Sequence, residues 1–285
     1  MKPTSPSPDH HLHTLVQLSG DLPAMPNVAS EALQKIADPN ARAEDIQKIL
    51  AKDPALAARI LKLANSSFYA RSRTIATLRD AVVVIGLKTV RALVLASVTR
   101  DLFEPFGLTE KLLWEHAVGC GLAARTLAVI LRFSKQEECF LAGLLHDVGK
   151  QILLIQRSEP MRRIIEDVYN NSDLSFVQLE RECFGFDHTD VGRLLVDKWH
   201  FPEEIIEAIT CHHRPALAKI LPALTVIVHL ANAICHKLEL GPTRRPDLDL
   251  STIVSARALK LTPDKLAAIE ESIRAKVQTE ASSFF

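Results

Sequence analysis

Residues 111–130 read KLLWEHAVGCGLAARTLAVI, and this stretch decides the fold. Leu112, His116, Cys120, Ala123 and Leu127 recur at spacings of three, four and seven, so they share one face of an α-helix. The face is apolar apart from His116. A lone imidazole in such a place is normally a hydrogen-bonded core residue, and His116 gains interest only from its company further along the chain.

The same helical signature extends in both directions. Only 10 of 285 residues are Gly, aromatic residues make up 5%, Ala and Leu abound, and alternating strand patterns are rare. Asp53-Pro54 pairs an N-cap with a proline at the first helical position, and Thr262-Pro263 repeats the device. Phe201-Pro202-Glu203-Glu204 opens another helix, with its acids where the dipole favours them. The reading is an all-α chain, with helices near 27–37, 43–51, 54–65, 77–85, 87–102, 109–131, 136–147, 160–168, 175–183, 188–199, 203–212, 222–236, 251–257 and 263–277. Residues 1–14 and those after about 278 are expected to fray. The segment DLFEPFGLT (101–109), with Pro105 and Gly107, marks a subdomain boundary. It separates a helical unit at 15–108 from a helical core at 109–240, followed by C-terminal helices and tail at 241–285.

Bulk composition excludes several classes of function. Lys+Arg and Asp+Glu both number 34, so the formal charge is zero, and binding of nucleic acid through bulk electrostatics is not expected. No uninterrupted run of about 18 apolar residues is present, so no membrane span is expected. The Pro/Ser/His-rich start lacks the apolar core of a signal peptide. Five cysteines (Cys120, Cys139, Cys183, Cys211, Cys235) never form a CxxC pair and read as buried free thiols. A cytoplasmic protein is the expectation. Charge is uneven along the chain, with a net of +7 over 59–100 and −5 over 159–190. Two solvated faces, or a docking surface for an anionic partner, both fit that pattern. AVVVIGLKTVR (81–91) could pass for a helix–turn–helix, but a Gly between packed helices is usual in any all-α domain.

The histidines carry the chemistry. His10, His11 and His13 fall in the loose start, and the other eight all lie after residue 115. GLLHDVGK (143–150) places His146 beside Asp147 at a helix end, with Gly149 as a stop and Lys150 following. An imidazole and a carboxylate can share one Zn, Fe or Mn ion, and Lys150 could then face a phosphate. His188 opens FDHTDVGRLL with Asp187 as its N-cap. His212 and His213 close EEIIEAITCHH, with Ile205, Ile209 and His212 on one stripe. Burying so many imidazoles without partners would be costly, so a shared polar centre is expected. Rings engaged separately with main-chain carbonyls would count against it. His200, His229 and His236 have no such company and read as structural or surface.

The order His116, then His146-Asp147, then a distal acid resembles the HD-domain metal-dependent phosphohydrolases. Leu22-Pro23-Ala24-Met25-Pro26, Asp53-Pro54-Ala55-Leu56, Leu63-Ala64-Asn65-Ser66 and Ala81-Val82-Val83-Val84-Ile85-Gly86 resemble the HDOD domain, as do Gly143-Leu144-Leu145-His146-Asp147 and His212-His213 after Trp199. The likeness spans roughly 15–240. It implies an all-helical bacterial signalling output domain acting through protein partners, in a family many of whose members have lost the metal ligands. It also implies metal ligands at His116, His146, Asp147, His188, His212 and His213, holding one divalent transition ion (Fe, Mn or Zn) or a weakly held pair. The distal acid aligns with Asn232 in Leu230-Ala231-Asn232, where an amide offers an oxygen but no charge. Asp190 and Asp249 are the candidate substitutes. The GYP segment of cyclic di-GMP phosphodiesterases is absent after His213. The other function implied is a metal-dependent phosphohydrolase, in which the metal activates water against a phosphoester and Lys150 steadies a small phosphate ligand.

Overall fold

The computed structural model describes residues 20–66, 69, 74–104 and 107–284, which form helices and connecting turns without any strand. The expected fraying of 1–14, the three histidines there and Pro105 lie outside these residues. The chain runs α1 Asn27–Ala37, α2 Ala43–Leu50, α3 Pro54–Ala64, α4 Leu78–Asp101, α5 Leu108–Ile130, α6 Gln136–Leu145, α7 Val148–Gln156, α8 Ser158–Asn170, α9 Phe176–Phe184, α10 His188–Lys198, α11 Glu203–Cys211, α12 Pro222–Lys237, α13 Val254–Ala258 and α14 Pro263–Phe284.

Local chemistry sets several of these boundaries. Asp53 accepts from the Leu56 amide (3.0 Å) with Pro54 at the first position of α3. Asp187 accepts from the Thr189 amide (2.9 Å), while Asp190 accepts from the Asp187 amide (3.1 Å). α4 bends at Gly86, whose φ of 81° and ψ of 161° interrupt the helix between the two expected segments. By length and composition α4 could cross a membrane, but its apolar side chains are mostly buried within the fold.

The centre of the molecule is α5, packed by α6, α12 and α14, while α2 and α3 lie against α4, which also touches α6. Leu122, Leu127 and Phe140 are fully buried there, each contributing roughly 1.5–3 kcal/mol by leaving water. The chain end does not fray at 278. α14 continues to Phe284, whose ring lies 5.9 Å from Phe140 and whose carbonyl accepts from Trp114 Nε1 (3.3 Å).

Gly149 is not a helix stop. The helix breaks two residues earlier, at His146-Asp147, and α7, absent from the sequence reading, starts at once. Gly149 serves close packing instead: a Cβ there would lie 1.9 Å from the His188 carbonyl oxygen and 2.8 Å from the Gly192 nitrogen. α7 and α10 therefore touch backbone to backbone, which carries Asp147 up to His188. Gly149→Ala is expected to destabilise the protein by about 3 kcal/mol or more. Gly86→Ala, strained only by its backbone conformation, should cost about 1–3 kcal/mol. Urea denaturation measures both, and a Gly149→Ala chain as stable as the parent would contradict this packing.

Candidate metal centre

Each member of the cluster stands where its helix begins, ends or crosses a neighbour. His116 lies mid-way along α5, and His146 and His212 are the C-cap residues of α6 and α11. His188 is the first residue of α10, and Asn232 lies in α12. The last turn of a helix leaves carbonyls without helical partners, and two histidines exploit this. His146 Nδ1 donates to the Gly143 carbonyl (2.7 Å), and His212 Nδ1 donates to the Ile209 carbonyl (2.8 Å). His116 Nδ1 donates to the Leu240 carbonyl (2.9 Å), in the loop where Gly241 crosses close to the His116 side chain.

A carbonyl oxygen only accepts, so each of these rings carries its proton on Nδ1 and a lone pair on Nε2. Rings held by separate main-chain carbonyls are the arrangement set against a shared centre, but here the bonds run through Nδ1 alone and leave each Nε2 aimed inward. The Nε2 atoms converge on Asp147. His116 and His146 Nε2 lie 3.5 and 3.4 Å from Asp147 Oδ2, while His188 and His212 Nε2 lie 3.1 and 3.6 Å from Oδ1. His213 Nε2 lies 3.0 Å from His188 Nε2. Among the described residues, His146 Nε2, His212 Nε2 and Asp147 Oδ1 are buried without a hydrogen-bond partner. Such orphaned groups cost about 1–3 kcal/mol each. A divalent cation would satisfy all three, and nitrogen and carboxylate donors suit Zn, Fe and Mn. The residues present therefore fit a transition metal.

Electrostatics balance the centre in its metal-free form. Burial would raise the Asp147 carboxyl, but its neighbours His146, Lys150 and His188 hold it well below the usual range. Burial would lower His188, but Glu180 and Asp147 together push it up to about 9. Burial lowers His116 to about 4 and His212 to about 3, against the attraction of Asp147, and pushes His213 and His236 well down. His188 is thus a cation held between two carboxylates, while His116 and His212 are neutral.

Lys150 does not stand free to face a phosphate. Its Nζ donates to Asp147 Oδ2 (2.6 Å) and lies 4.1 Å above the Phe176 ring. It does line a cleft of about 200 Å³ beside the centre, together with His213, Asn232, His236 and Arg245. Asn232 is buried on that wall, its Oδ1 without a partner among the described residues. Neither candidate substitute acid reaches the site, because Asp190 caps α10 and Asp249 accepts from the Ser251 amide.

The sequence reading missed two members. Glu180 is fully buried and accepts from both the backbone N–H and Nδ1 of His188. It lies four residues after buried Phe176, so an acid on an apolar stripe was its signal. His236 is not isolated: it stacks on His116 with ring centroids 5.1 Å apart. His229, Asn232 and His236 follow at spacings of three and four, one face of α12, and that periodicity was the clue. His229 itself pairs through Nδ1 with the Ser255 hydroxyl (2.9 Å).

Comparison with known proteins agrees with this architecture. The HDOD domain family matches residues 22–215, and the chain belongs to that family. An HDOD domain protein of unknown function from Geobacter sulfurreducens superposes with a TM-score of 0.78 at 26% identity, covering 96% of this chain and 99% of that one. A proposed phosphohydrolase from Shewanella amazonensis gives 0.74 at 23% identity, covering 95% and 98%. A proposed signal transduction protein from Marinobacter aquaeolei gives 0.73 at 21% identity, covering 94% and 64%. An uncharacterized protein of Treponema pallidum is 24% identical over 93% of this chain, which spans 50% of that relative's length.

Two outcomes follow from the site. As pH falls from 6.5, the unfolded chain binds protons before the buried His116 and His212 do, so the stability tied to their neutral rings is lost between 6.5 and about 3. For His188 the sign reverses. Its contribution is full below pH 6.5 and is lost as pH rises through about 9. The urea midpoint of metal-free protein should therefore peak near pH 6.5, and a midpoint climbing steadily from 6.5 to 9 would contradict the His188 assignment. Glu180→Gln removes the anion that orients His188 and should weaken metal binding about 10–100-fold. A chelator-competition titration measures this, and unchanged affinity would deny Glu180 that role.

Proposed function

We propose that this chain is a signal-transduction module whose histidine–aspartate centre holds a divalent transition metal and which acts through contacts with signalling proteins. The observation that carries the metal half is the convergence of buried, carbonyl-oriented Nε2 atoms on Asp147. Two features favour a module over an enzyme. By the resemblance to the HD enzymes, Asn232 takes the place of their distal acid, and Lys150 donates to Asp147 Oδ2. A groove of about 400 Å³ between α1, α4 and the 199–201 turn, lined by Leu33, Ile36, Leu87, Trp199 and Phe201 with Lys88 and Arg91, offers a partner an apolar seat with a basic flank.

A second reading rests on the cleft. Its wall of Lys150, His213, Asn232, His236 and Arg245 suits a phosphate-bearing ligand. When bound, the metal would supply Lewis acidity toward a phosphoryl oxygen. Lys150 would then turn from Asp147 to the phosphate, and the Phe176 ring would shield that contact from water.

Metal analysis of the purified chain, followed by assay of a generic phosphodiester and cyclic dinucleotides with added Mn²⁺ or Fe²⁺, separates the two. The module reading expects bound metal without turnover. Turnover that His146→Ala abolishes would contradict it and establish the phosphohydrolase.

A further inference from the structure

Cys120 lies one helical turn beyond His116 on α5, and its Sγ stands 3.5 Å from His116 Nε2. Both residues are buried, and His116, Cys120 and His146 place one donor atom each within 4.8 Å of one another. His146 Nε2 is fully buried and has no hydrogen-bond partner among the described residues. On the same side of the centre, Asp147 Oδ2 lies 3.5 Å from His116 Nε2 and 3.4 Å from His146 Nε2. A tetrahedral ion with bonds of about 2.0–2.3 Å needs its donors roughly 3.3–3.7 Å apart. The three measured separations fall inside that interval.

We infer that Cys120 is a metal ligand, completing with His116, His146 and Asp147 Oδ2 a thiolate-containing subsite for zinc or ferrous iron, next to the subsite at Asp147 Oδ1, His188, His212 and His213. This rests on the reading that the histidine–aspartate centre binds metal, and it adds a donor of different chemistry. The exchange balances: the Sγ–H bond breaks, the sulfur electron pair passes to the metal, and the proton leaves to solvent. Cys235 lies against the Cys120 thiol, and burial keeps that thiol protonated until a cation binds. Asp147 is a single carboxylate serving two groups of imidazoles, and Lys150 already donates to its Oδ2. A thiolate supplies the second negative charge that an ion on this side needs. A soft donor also makes the two subsites unequal, one thiophilic and one built of nitrogen and oxygen alone.

Cobalt reports the difference directly, because a thiolate ligand gives Co²⁺ an intense near-ultraviolet charge-transfer absorption that nitrogen and oxygen ligands do not. The chelator-stripped 285-residue chain is titrated with Co²⁺, with bound metal measured independently. The expected result is two cobalt ions per chain and a charge-transfer band. In Cys120→Ser and Cys120→Ala the band should vanish and the count fall to one, whereas Cys235→Ser and Cys139→Ser keep both. X-ray absorption of the zinc-loaded parent chain, which needs no variant, should show a sulfur neighbour at about 2.3 Å. Cobalt bound without the band, or a band lost in Cys235→Ser and kept in Cys120→Ser, overturns the inference while leaving the histidine–aspartate centre standing. A chain that binds no cobalt at all overturns that centre and this subsite together.

Discussion

Three main-chain carbonyls and one buried glutamate decide which nitrogen each central imidazole presents, and the rest of the site depends on that choice. Gly143, Ile209 and Leu240 take the Nδ1 protons of His146, His212 and His116, and Glu180 takes that of His188. With the other nitrogen of each ring committed, each Nε2 faces inward and lies within 3.6 Å of Asp147. Two of these carbonyls are available because α6 and α11 end there, leaving groups that a continuing helix would have used. Helix termination and ligand orientation are thus one event. A hydrogen bond worth about 1 kcal/mol in stability becomes the device that aims a donor atom.

The fold brings these termini together by close backbone approach. Gly149 lets α7 rest on the first turn of α10, which sets Asp147 beside His188. α5 supplies His116 from the middle of the core, and the loop after α12 bends at Gly241 to reach its Nδ1. Most of the centre is buried, and Lys150 and His213 open onto the cleft that Asn232 and His236 also line. That wall sets the centre, a cation and a cleft side by side in one small volume.

Helical periodicity made most of the fold legible. The apolar stripes, the proline starts and the Asp53 and Asp187 caps are local signals, and local signals survive in a single sequence. α7 was hidden because Gly149 looks like a stop, whereas its reason is a contact with a helix some forty residues away. The full length of α14 was hidden because its last turn is held by Trp114 and Phe140, a tertiary matter. At the site, the histidines were legible because each interrupts an apolar face. Glu180 was read as part of a solvated charge block, though its spacing from Phe176 places it inside. His236 was read as isolated because its neighbour His116 is remote in sequence. Lys150 was read toward a phosphate, and in the structure it donates to Asp147 three residues before it, an i,i+3 pairing that helical spacing by itself allows.

The central claim is that these imidazoles offer Nε2 to the Asp147 carboxylate, His116 and His146 on its Oδ2 side and His188 and His212 on its Oδ1 side. Anomalous diffraction at a metal absorption edge, from crystals of the metal-loaded protein, tests it most directly. The account requires a peak in contact with Asp147 and the Nε2 atoms of the surrounding histidines, with the Nδ1 bonds to Gly143, Ile209 and Leu240 intact. A peak bound through Nδ1, or loaded crystals with no peak beside Asp147, would contradict it.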